Sequence, residues 1–561
     1  MNTLVMNQLT IEQKMKSKNL IPFIMATLLC LLTQLALATD RNPEKRNRPN
    51  IVIILVDDMG FSDIGCYGAE IDTPNLDGLA GNGLRFTQFY NSGRCCPTRA
   101  SLMTGLHPHQ VGIGHMTEPP NQPLGFEGPY QGYLNKQCLT IAQMLKTGGY
   151  HTLMTGKWHL GYADSANWPN QRGFDRFYGG ITGAFNYFKP GGDRLISEDN
   201  VEIETPDDWY ATDAFTDKGI EYIREVRKGS DKPFFLYLAY NSPHWPLNAK
   251  WDDYQKYRGK YSRGWQAVSD ERFARQQQMG LFNADVTQAP LEAPNWDSLD
   301  EGQRDRLDSI QAAYAACIDN IDQNIGRLVG YLTETNQLDN TLILFLSDNG
   351  ACQEGGVLGR GDEEMVRNPP LETVDGVRQG LAWANASNTP FRLFKHFVHE
   401  GGACTPLIAH WPAGIPSKRN GTFTRQHAYL PDFMATCIDL AGVEYPLNMP
   451  PLVGKSLMPA FKSERKPVHT EPIYWEHEGN AAMRDGDLKL VREYEKAWEL
   501  YDLSKDRTES NDLVTKEANI AGQMIRQWES WASETGVAFP QRFNMYQFLR
   551  EKQNRENKNQ K

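Results

Sequence analysis

Four stretches of the chain are apolar for most of their length and then end in polar, ionisable residues. Asn50-Ile-Val-Ile-Ile-Leu-Val runs into Asp57-Asp58. Tyr150-His-Thr-Leu-Met-Thr runs into Gly156-Lys157-Trp158-His159. Pro233-Phe-Phe-Leu-Tyr-Leu-Ala-Tyr runs into Asn241-Ser-Pro-His244, and Thr341-Leu-Ile-Leu-Phe-Leu-Ser runs into Asp348-Asn349-Gly350. Short apolar runs without alternation read as strands covered on both faces. Helical periodicity over Leu139–Thr147, Thr212–Arg227 and Leu307–Thr335 precedes three of them. This alternation predicts an α/β fold with a large, mostly parallel sheet sandwiched by helices. Ligands in such sheets bind beyond the carboxyl ends of the strands. Asp57, Asp58, Lys157, His159, His244, Asp348 and Asn349 are therefore expected in one crevice. A single Asp at a strand end is usually a cap or turn former; four ends behaving alike point to a site.

The texture changes near Lys466. Ile473-Tyr-Trp-Glu, Asn480-Ala-Ala-Met-Arg, Leu488-Lys-Leu-Val and Trp498-Glu-Leu-Tyr are short strand-like segments around the turn signal Asp485-Gly486. With a helix over Ala518–Ala532 they predict a smaller C-terminal α+β subdomain built on an antiparallel sheet. The expected division is a catalytic domain over 50–465, this subdomain over 466–549 and a disordered tail over 550–561. Residues 353–390 read as a polar, Gly-rich insertion, either a loop over the crevice or a surface loop without contact to it. The aromatic-rich segments Trp168 to Phe188 and Trp245 to Trp265 suit core packing and sugar or aryl stacking equally.

Composition narrows the class. With 40% hydrophobic residues, 13 Trp, 23 Tyr and 24 Phe, the chain can build a large core. Its net charge of −11 argues against nucleic-acid binding through an overall field, so an anionic substrate must be held by a local basic cluster. Lys14, Lys16 and Lys18 precede an apolar run from Leu20 to Leu35 and the small-x-small site Ala36-Leu37-Ala38. Residues 1–38 thus read as a cleaved export signal, 39–49 as a linker, and the location as periplasmic or secreted. Translation can start at Met1 or Met15, since MKSK followed by the apolar run is already a complete signal. An uncleaved anchor is the alternative, but the run is shorter than the ~20 residues of a span; no stable membrane insertion is expected. Cleavage shifts the net charge from −11 to −13 and leaves eight of the 9 cysteines. That density predicts one disulfide or none.

The predicted crevice holds two kinds of charge. Asp57, Asp58, Asp348 and the Asn349 amide offer hard oxygen donors, and clustered carboxylates call for a divalent cation. Ca²⁺ suits this set better than Zn²⁺, with Mg²⁺ second. Lys157, His159, His244, Arg99 and Lys395 suit a tetrahedral oxyanion ester, sulfate or phosphate. Pro97 in Gly93-Arg-Cys-Cys-Pro-Thr-Arg-Ala-Ser-Leu-Met-Thr-Gly105 fits the first turn of a helix. Cys95 would then face the positive end of that helix, where an anionic nucleophile is stabilised. A buried structural thiol, or half of a distant disulfide, is the competing reading.

These residues resemble those of a known family. Cys95-x-Pro97-x-Arg99 followed by Ala-Ser-Leu-Met-Thr104-Gly105 is similar to the signature of the type I sulfatases, members of the alkaline-phosphatase-like superfamily. Asp57-Asp58-Met-Gly60, Ile64-Gly-Cys-Tyr-Gly68 with Thr73-Pro-Asn-Leu-Asp77, Gly156-Lys157-Trp158-His159-Leu-Gly161, Ser242-Pro-His244-Trp-Pro-Leu247 and Ser347-Asp348-Asn349-Gly350 resemble further blocks of that family. Asn388 to Lys395 followed by His399-Glu-Gly-Gly402 resembles the lysine block of bacterial arylsulfatases. Thr98 stands where the family most often has Ser, and Cys96 fills the variable position.

The resemblance implies that a maturation enzyme converts Cys95 to formylglycine (3-oxoalanine). It implies that Asp57, Asp58, Asp348, Asn349 and the modified Cys95 hold Ca²⁺. One hydroxyl of the hydrated aldehyde would attack sulfur, with Arg99 and Lys157 stabilising its oxygens. Lys157, His244 and Lys395 would clamp the sulfate, and His244 or Lys395 would protonate the leaving group. His159 would take a proton from the second hydroxyl and so release sulfate. The expected function is hydrolysis of an aryl sulfate or sulfated carbohydrate. The alternatives are a phosphate or phosphonate ester hydrolase of the same architecture and a non-catalytic binder of sulfated glycans.

Overall fold

The computed structural model describes residues 48–117 and 127–538. The expected export signal, residues 39–47 of the linker, the segment 539–549 and the tail 550–561 lie outside the described residues. Eleven strands form one mixed sheet: β1 (Asn50–Val56), β2 (Leu84–Tyr90), β3 (His151–Gly156), β4 (Arg176–Gly180), β5 (Ile196–Glu198), β6 (Val201–Ile203), β7 (Phe234–Ala239), β8 (Thr341–Ser347), β9 (Cys404–His410), β10 (Thr422–Thr424) and β11 (Ala428–Tyr429). The order is β10-β2-β9-β8-β1-β7-β3-β4-β5-β6, with β11 also on β2.

The four apolar runs are the four central strands β8, β1, β7 and β3, all parallel. Every residue of β1, β7 and β8 is buried, which is why these runs lack polar alternation. Successive side chains of β1 go to opposite faces. Val52, Ile54 and Val56 join a core with helices Ala211–Arg227 and Glu301–Glu334. Ile51, Ile53 and Leu55 join another with helices Cys95–Thr104 and Ile141–Thr147. The antiparallel members lie outside this centre, at β9 against β8 and β2 and at β5 against β4 and β6.

Register decides where the polar ends emerge. Val56 pairs with Ser347, Leu55 with Ala239 and Gly156 with Ala239. The ends of β8, β1, β7 and β3 are therefore level, and Asp348, Asp57 and Lys157 leave the sheet side by side. Gly156, at φ +105, permits this spacing, because a Cβ there would lie 1.9 Å from Ala239 O.

A second sheet has the antiparallel order β12 (Ile473–His477), β13 (Asn480–Asp485), β14 (Leu488–Arg492) and β15 (Glu499–Asp502). Gly486, at φ +57, makes its expected turn. Ala481, Met483, Leu490 and Leu500 pack on helix Ala518–Thr535 through Met524, Trp528 and Trp531. Trp475, Ala482, Val491 and Tyr501 face the main core instead.

Segment 353–390 is more ordered than the expected loop. It contains helices Glu363–Arg367 and Leu381–Ser387, and Ala382 to Ser387 are buried. Trp383 packs edge-on against Trp265 at 5.7 Å, which places these aromatics in the core. All eight cysteines from Cys66 to Cys437 are free thiols. No helix among the described residues is long and apolar enough to cross a membrane.

A buried ion cluster ties the two sheets together. Glu400 accepts from Lys489 Nζ (2.8 Å), Arg507 Nη2 (3.0 Å) and the Tyr90 hydroxyl (3.0 Å). Burial opposes its charge, but Lys489, Arg507 and Arg484 hold the carboxyl at about 2. A depressed carboxylate contributes stability that is present above its unfolded value near 4.5 and lost as the pH falls toward 2. Glu400→Ala should cost about 3–5 kcal/mol by leaving buried cations uncompensated. Its melting temperature should fall well below that of the parent at neutral pH, and the difference should narrow in acid titrations between pH 4.5 and about 2.

Candidate active site

Two adjacent residues of a strand point to opposite faces, so Asp57 and Asp58 could not share a crevice if β1 simply continued. The chain turns at Asp58, which sits at φ +70, an unfavourable backbone conformation for a residue with a Cβ. Its N–H donates to Asp348 Oδ1 at 3.1 Å and its carbonyl accepts from the Tyr314 hydroxyl at 3.1 Å. His159, at φ +58, makes a comparable turn after β3. Gly350 lets the loop after β8 pass Gly401, whose carbonyl would lie 1.9 Å from an added Cβ.

Helix Cys95–Thr104 starts at Cys95 itself, with Arg94 as N-cap. Arg99 follows one turn later and faces the same crevice. Its Nη2 lies 3.0 Å from Asp348 Oδ2 and 3.5 Å from Asp57 Oδ2, while Nη1 donates to Lys157 O at 2.9 Å. Thr98 Oγ1 donates to Asp348 O at 2.7 Å, pinning the helix to the end of β8.

The acidic and basic residues expected in the crevice are in direct contact with one another. Lys157 Nζ lies 2.5 Å from Asp57 Oδ2. Lys395 Nζ lies 2.8 Å and His244 Nε2 3.4 Å from Asp58 Oδ2. Asn349 Nδ2 donates to Asp58 Oδ1 at 2.7 Å. Burial alone would raise Asp57; Lys157, His244, Arg99 and Lys395 outweigh it and hold that carboxyl well below its ordinary range. Asp348 goes the other way, pushed up by burial and by the charge of Asp57. Burial lowers His244 to about 4 against the pull of Asp58. Burial, Lys157 and Arg99 keep His159 well below the usual imidazole range, and burial raises the Cys95 thiol.

Among the described residues Asp57 Oδ1 and Asn349 Oδ1 are buried oxygens without a hydrogen-bond partner, a costly arrangement that a hard cation would relieve. Ligand atoms of Asp57, Asp58, Cys95 and His244 lie within 4.8 Å of one another. His244, not among the expected ligands, thus stands with Asp57, Asp58 and Cys95, while Asp348 falls outside that group; the Nδ1 of His244 is 2.7 Å from Trp245 O. Among the described residues His396, His477 and Glu478 form a second such group. There the Asn480 amide nitrogen lies 3.1 Å from His396 Nε2, and His396 Nδ1 lies 3.5 Å from Glu478 Oε2.

The strand-end pattern misses Arg94 and Glu354. Arg94 Nη2 lies 2.9 Å from Glu354 Oε1, and Glu354 Oε2 accepts the Trp245 indole N–H at 2.7 Å. Burial would raise Glu354, yet Lys395, Arg94 and His244 hold it at about 2. Arg94 adjoins Cys95 and Glu354 closely follows Asn349; that adjacency is the signal available in the sequence.

Residues 49–443 match the family model described as Sulfatase. The chain belongs to the sulfatase family. This sulfatase also matches, over residues 391–532, the model described as N-sulphoglucosamine sulphohydrolase, C-terminal. It is 32% identical to an uncharacterised sulfatase of Schizosaccharomyces pombe, over 87% of this chain and 94% of that one. It is 33% identical to an arylsulfatase of Klebsiella aerogenes, over 75% of this chain and 94% of that one. Its fold is similar to the crystal structure of Ps i-CgsB, at a TM-score of 0.66 and 27% identity, covering 87% of this chain and 93% of that one. The large mixed sheet flanked by helices, with its separate four-stranded sheet, is thus the alkaline-phosphatase-like sulfatase architecture. This sulfatase is a sulfuric ester hydrolase.

Arg99→Ala should leave Asp348 and Asp57 facing each other without the guanidinium, at a cost of about 3–5 kcal/mol. Thermal melts should show a large loss of stability; an unchanged melting temperature would contradict this account of the cluster.

Proposed function

We propose that this sulfatase is exported and hydrolyses sulfate esters of carbohydrates or aryl alcohols with Ca²⁺ and a formylglycine made from Cys95 by a maturation enzyme. The observation that carries the reading is the junction at Cys95. A helix start bearing this side chain meets the acidic ends of β1 and β8. Asp57, Asp58, Asp348, Asn349 and residue 95 would hold the ion, with the orphaned Asp57 Oδ1 and Asn349 Oδ1 as donors. Bound there, Ca²⁺ would polarise the ester and lower the pKa of the hydroxyl nucleophile at position 95.

The remaining roles fall to groups already in place. Lys157 and Lys395 lie against the carboxylates, and a bound dication would free them for the sulfate oxygens. Arg99 steadies the oxygens of residue 95. His244, with Nδ1 against Trp245 O and Nε2 facing the crevice, shares the clamp, and either His244 or Lys395 serves as proton donor to the leaving alcohol. His159 takes the proton that releases sulfate and restores residue 95. A serine in place of Cys95 would be left as a stable sulfate ester, which is the chemical reason for the modification.

A carbohydrate substrate is supported by one relative. Ps i-CgsB was also solved in complex with k-i-k-neocarrahexaose, with the same 27% identity to this chain. Sulfate release from a panel of sulfated sugars, beside an aryl sulfate and an aryl phosphate, identifies the substrate class. Aryl phosphate turned over faster than aryl sulfate would overturn the assignment.

Mass spectrometry of the peptide holding residue 95, from the native host, should show aldehyde in place of thiol. An unmodified thiol there would favour the non-catalytic glycan binder instead. Cys95→Ala should reduce aryl sulfate turnover to background, and Lys395→Ala or His244→Ala should lower kcat by about 10²–10³-fold. Chelation should abolish turnover, and Ca²⁺ should restore it better than Mg²⁺.

A further inference from the structure

Segment 353–390 returns against the loop that carries His244. The Leu247 N–H donates to Val377 O at 2.9 Å, and a Cβ on Gly376 would come within 2.8 Å of Pro246 Cβ. Arg360 and Arg378 pair through their backbones in a short antiparallel bridge. The Arg378 guanidinium lies over the face of Trp245, with Cζ 4.0 Å from the ring centre. The Trp245 ring in turn lies 4.7 Å from the ring of His244, whose Nε2 faces Asp58. The indole N–H of Trp245 is fixed on Glu354 Oε2 at 2.7 Å, so the platform under Arg378 is held in place. A single indole ring thus separates Arg378 from the histidine assigned to the sulfate clamp.

Arg378 is half-buried and short of partners. Its Nε is buried without a hydrogen-bond partner among the described residues, and Nη2 reaches Val374 O only at a long 3.5 Å. The carboxylates around it are engaged elsewhere. Glu354 is held by Arg94 at 2.9 Å and by Trp245, and Asp375 by Arg360 at 2.9 Å. Burial presses the Arg378 guanidinium below its ordinary value; Glu354 pulls against this and Arg360 adds to it. A partly desolvated cation with no carboxylate of its own is costly, and an incoming anion would relieve it. Stacking uses the flat face of the guanidinium and leaves its in-plane N–H groups for an oxyanion.

We propose that Arg378 on its Trp245 platform is an anion subsite beside the sulfate clamp, and that the preferred substrate is a carbohydrate with a second sulfate near the one removed. The inference rests on the sulfatase reading above and deepens it. The clamp holds the ester that is cleaved, and Arg378 holds one that stays. The second contact orients the sugar over the reacting group. An aryl monosulfate has nothing to offer Arg378 and reports on the clamp alone.

The probes are lactose monosulfate and the isomeric lactose disulfates, with Ca²⁺ present. Calorimetry on the full-length C95A and C95A/R378A chains gives affinities that need no turnover. Sulfate release by the matured chain and its R378A variant gives kcat/KM. In both measurements at least one disulfate should be preferred over the monosulfate by about tenfold or more, the worth of a charged hydrogen bond. R378A should bring that ratio close to one, and the ratio cancels any general loss of folding or activity. R378K should restore part of it, since Lys keeps the charge without the stacked fork. R360A, which removes an exposed arginine already paired with Asp375, should leave the ratio as it is. No preference for any disulfate, a preference that survives R378A, or one that R360A removes equally overturns the proposal. Preferential binding through Arg378 with no sulfate released from any ester, an aryl sulfate included, would instead sink the underlying functional reading and leave the anion subsite standing.

Discussion

The structure depends on gathering carboxylates where water is excluded. Asp57, Asp58 and Asp348 are wholly buried at the adjoining ends of β1 and β8. Each buried charge left uncompensated would cost several kcal/mol. Cations must therefore be delivered to the same point, and they come from three separate parts of the chain. Arg99 arrives on a helix, Lys157 on the end of β3 and Lys395 on a loop. The opposing shifts of Asp57 and Asp348 express the residual imbalance. The same imbalance, together with orphaned oxygens on Asp57 and Asn349, makes the cluster a fitting host for a dication.

The second sheet takes part in this assembly. The segment that carries Lys395 is anchored to it at several points. Arg392 Nη1 lies 3.2 Å and His399 Nε2 3.3 Å from Glu499 Oε2, and the Asn480 amide nitrogen lies 3.1 Å from His396 Nε2. Leu393 and His396, on either side of Lys395, both have positive φ, so the loop is bent as well as tethered. The Glu400 cluster fastens the end of the same segment to β14 through Lys489. A basic residue of the crevice thus depends on a sheet that contributes no residue to the acidic cluster.

A sulfuric ester hydrolase needs its charged groups fixed before substrate arrives, because reorganising them during the reaction would consume the stabilisation they offer. Strand ends in register and a helix pinned through Thr98 both serve that rigidity. The strained turns at Asp58 and His159 fall at the two strand ends whose direction must change to aim a side chain into the crevice.

The sequence by itself determined the central strands, the helices between them, the small antiparallel sheet and the residues at the strand ends. These are local properties: continuous apolar runs, helical periodicity, a Gly turn, a short motif. It did not reveal β4 to β6, which are only three to five residues long, nor β2 and β9, whose apolar runs are broken by Arg85, Thr87 and Gln88 and by Thr405, Pro406 and His410. It hid the two helices inside 353–390, whose Gly-rich flanks read as loop. The places of Arg94 and Glu354, the anchoring of Lys395 and the stacking of Arg378 on Trp245 were decided only by the tertiary structure. Each joins residues far apart in the chain or on different elements, and such pairing is set by strand order, register and packing.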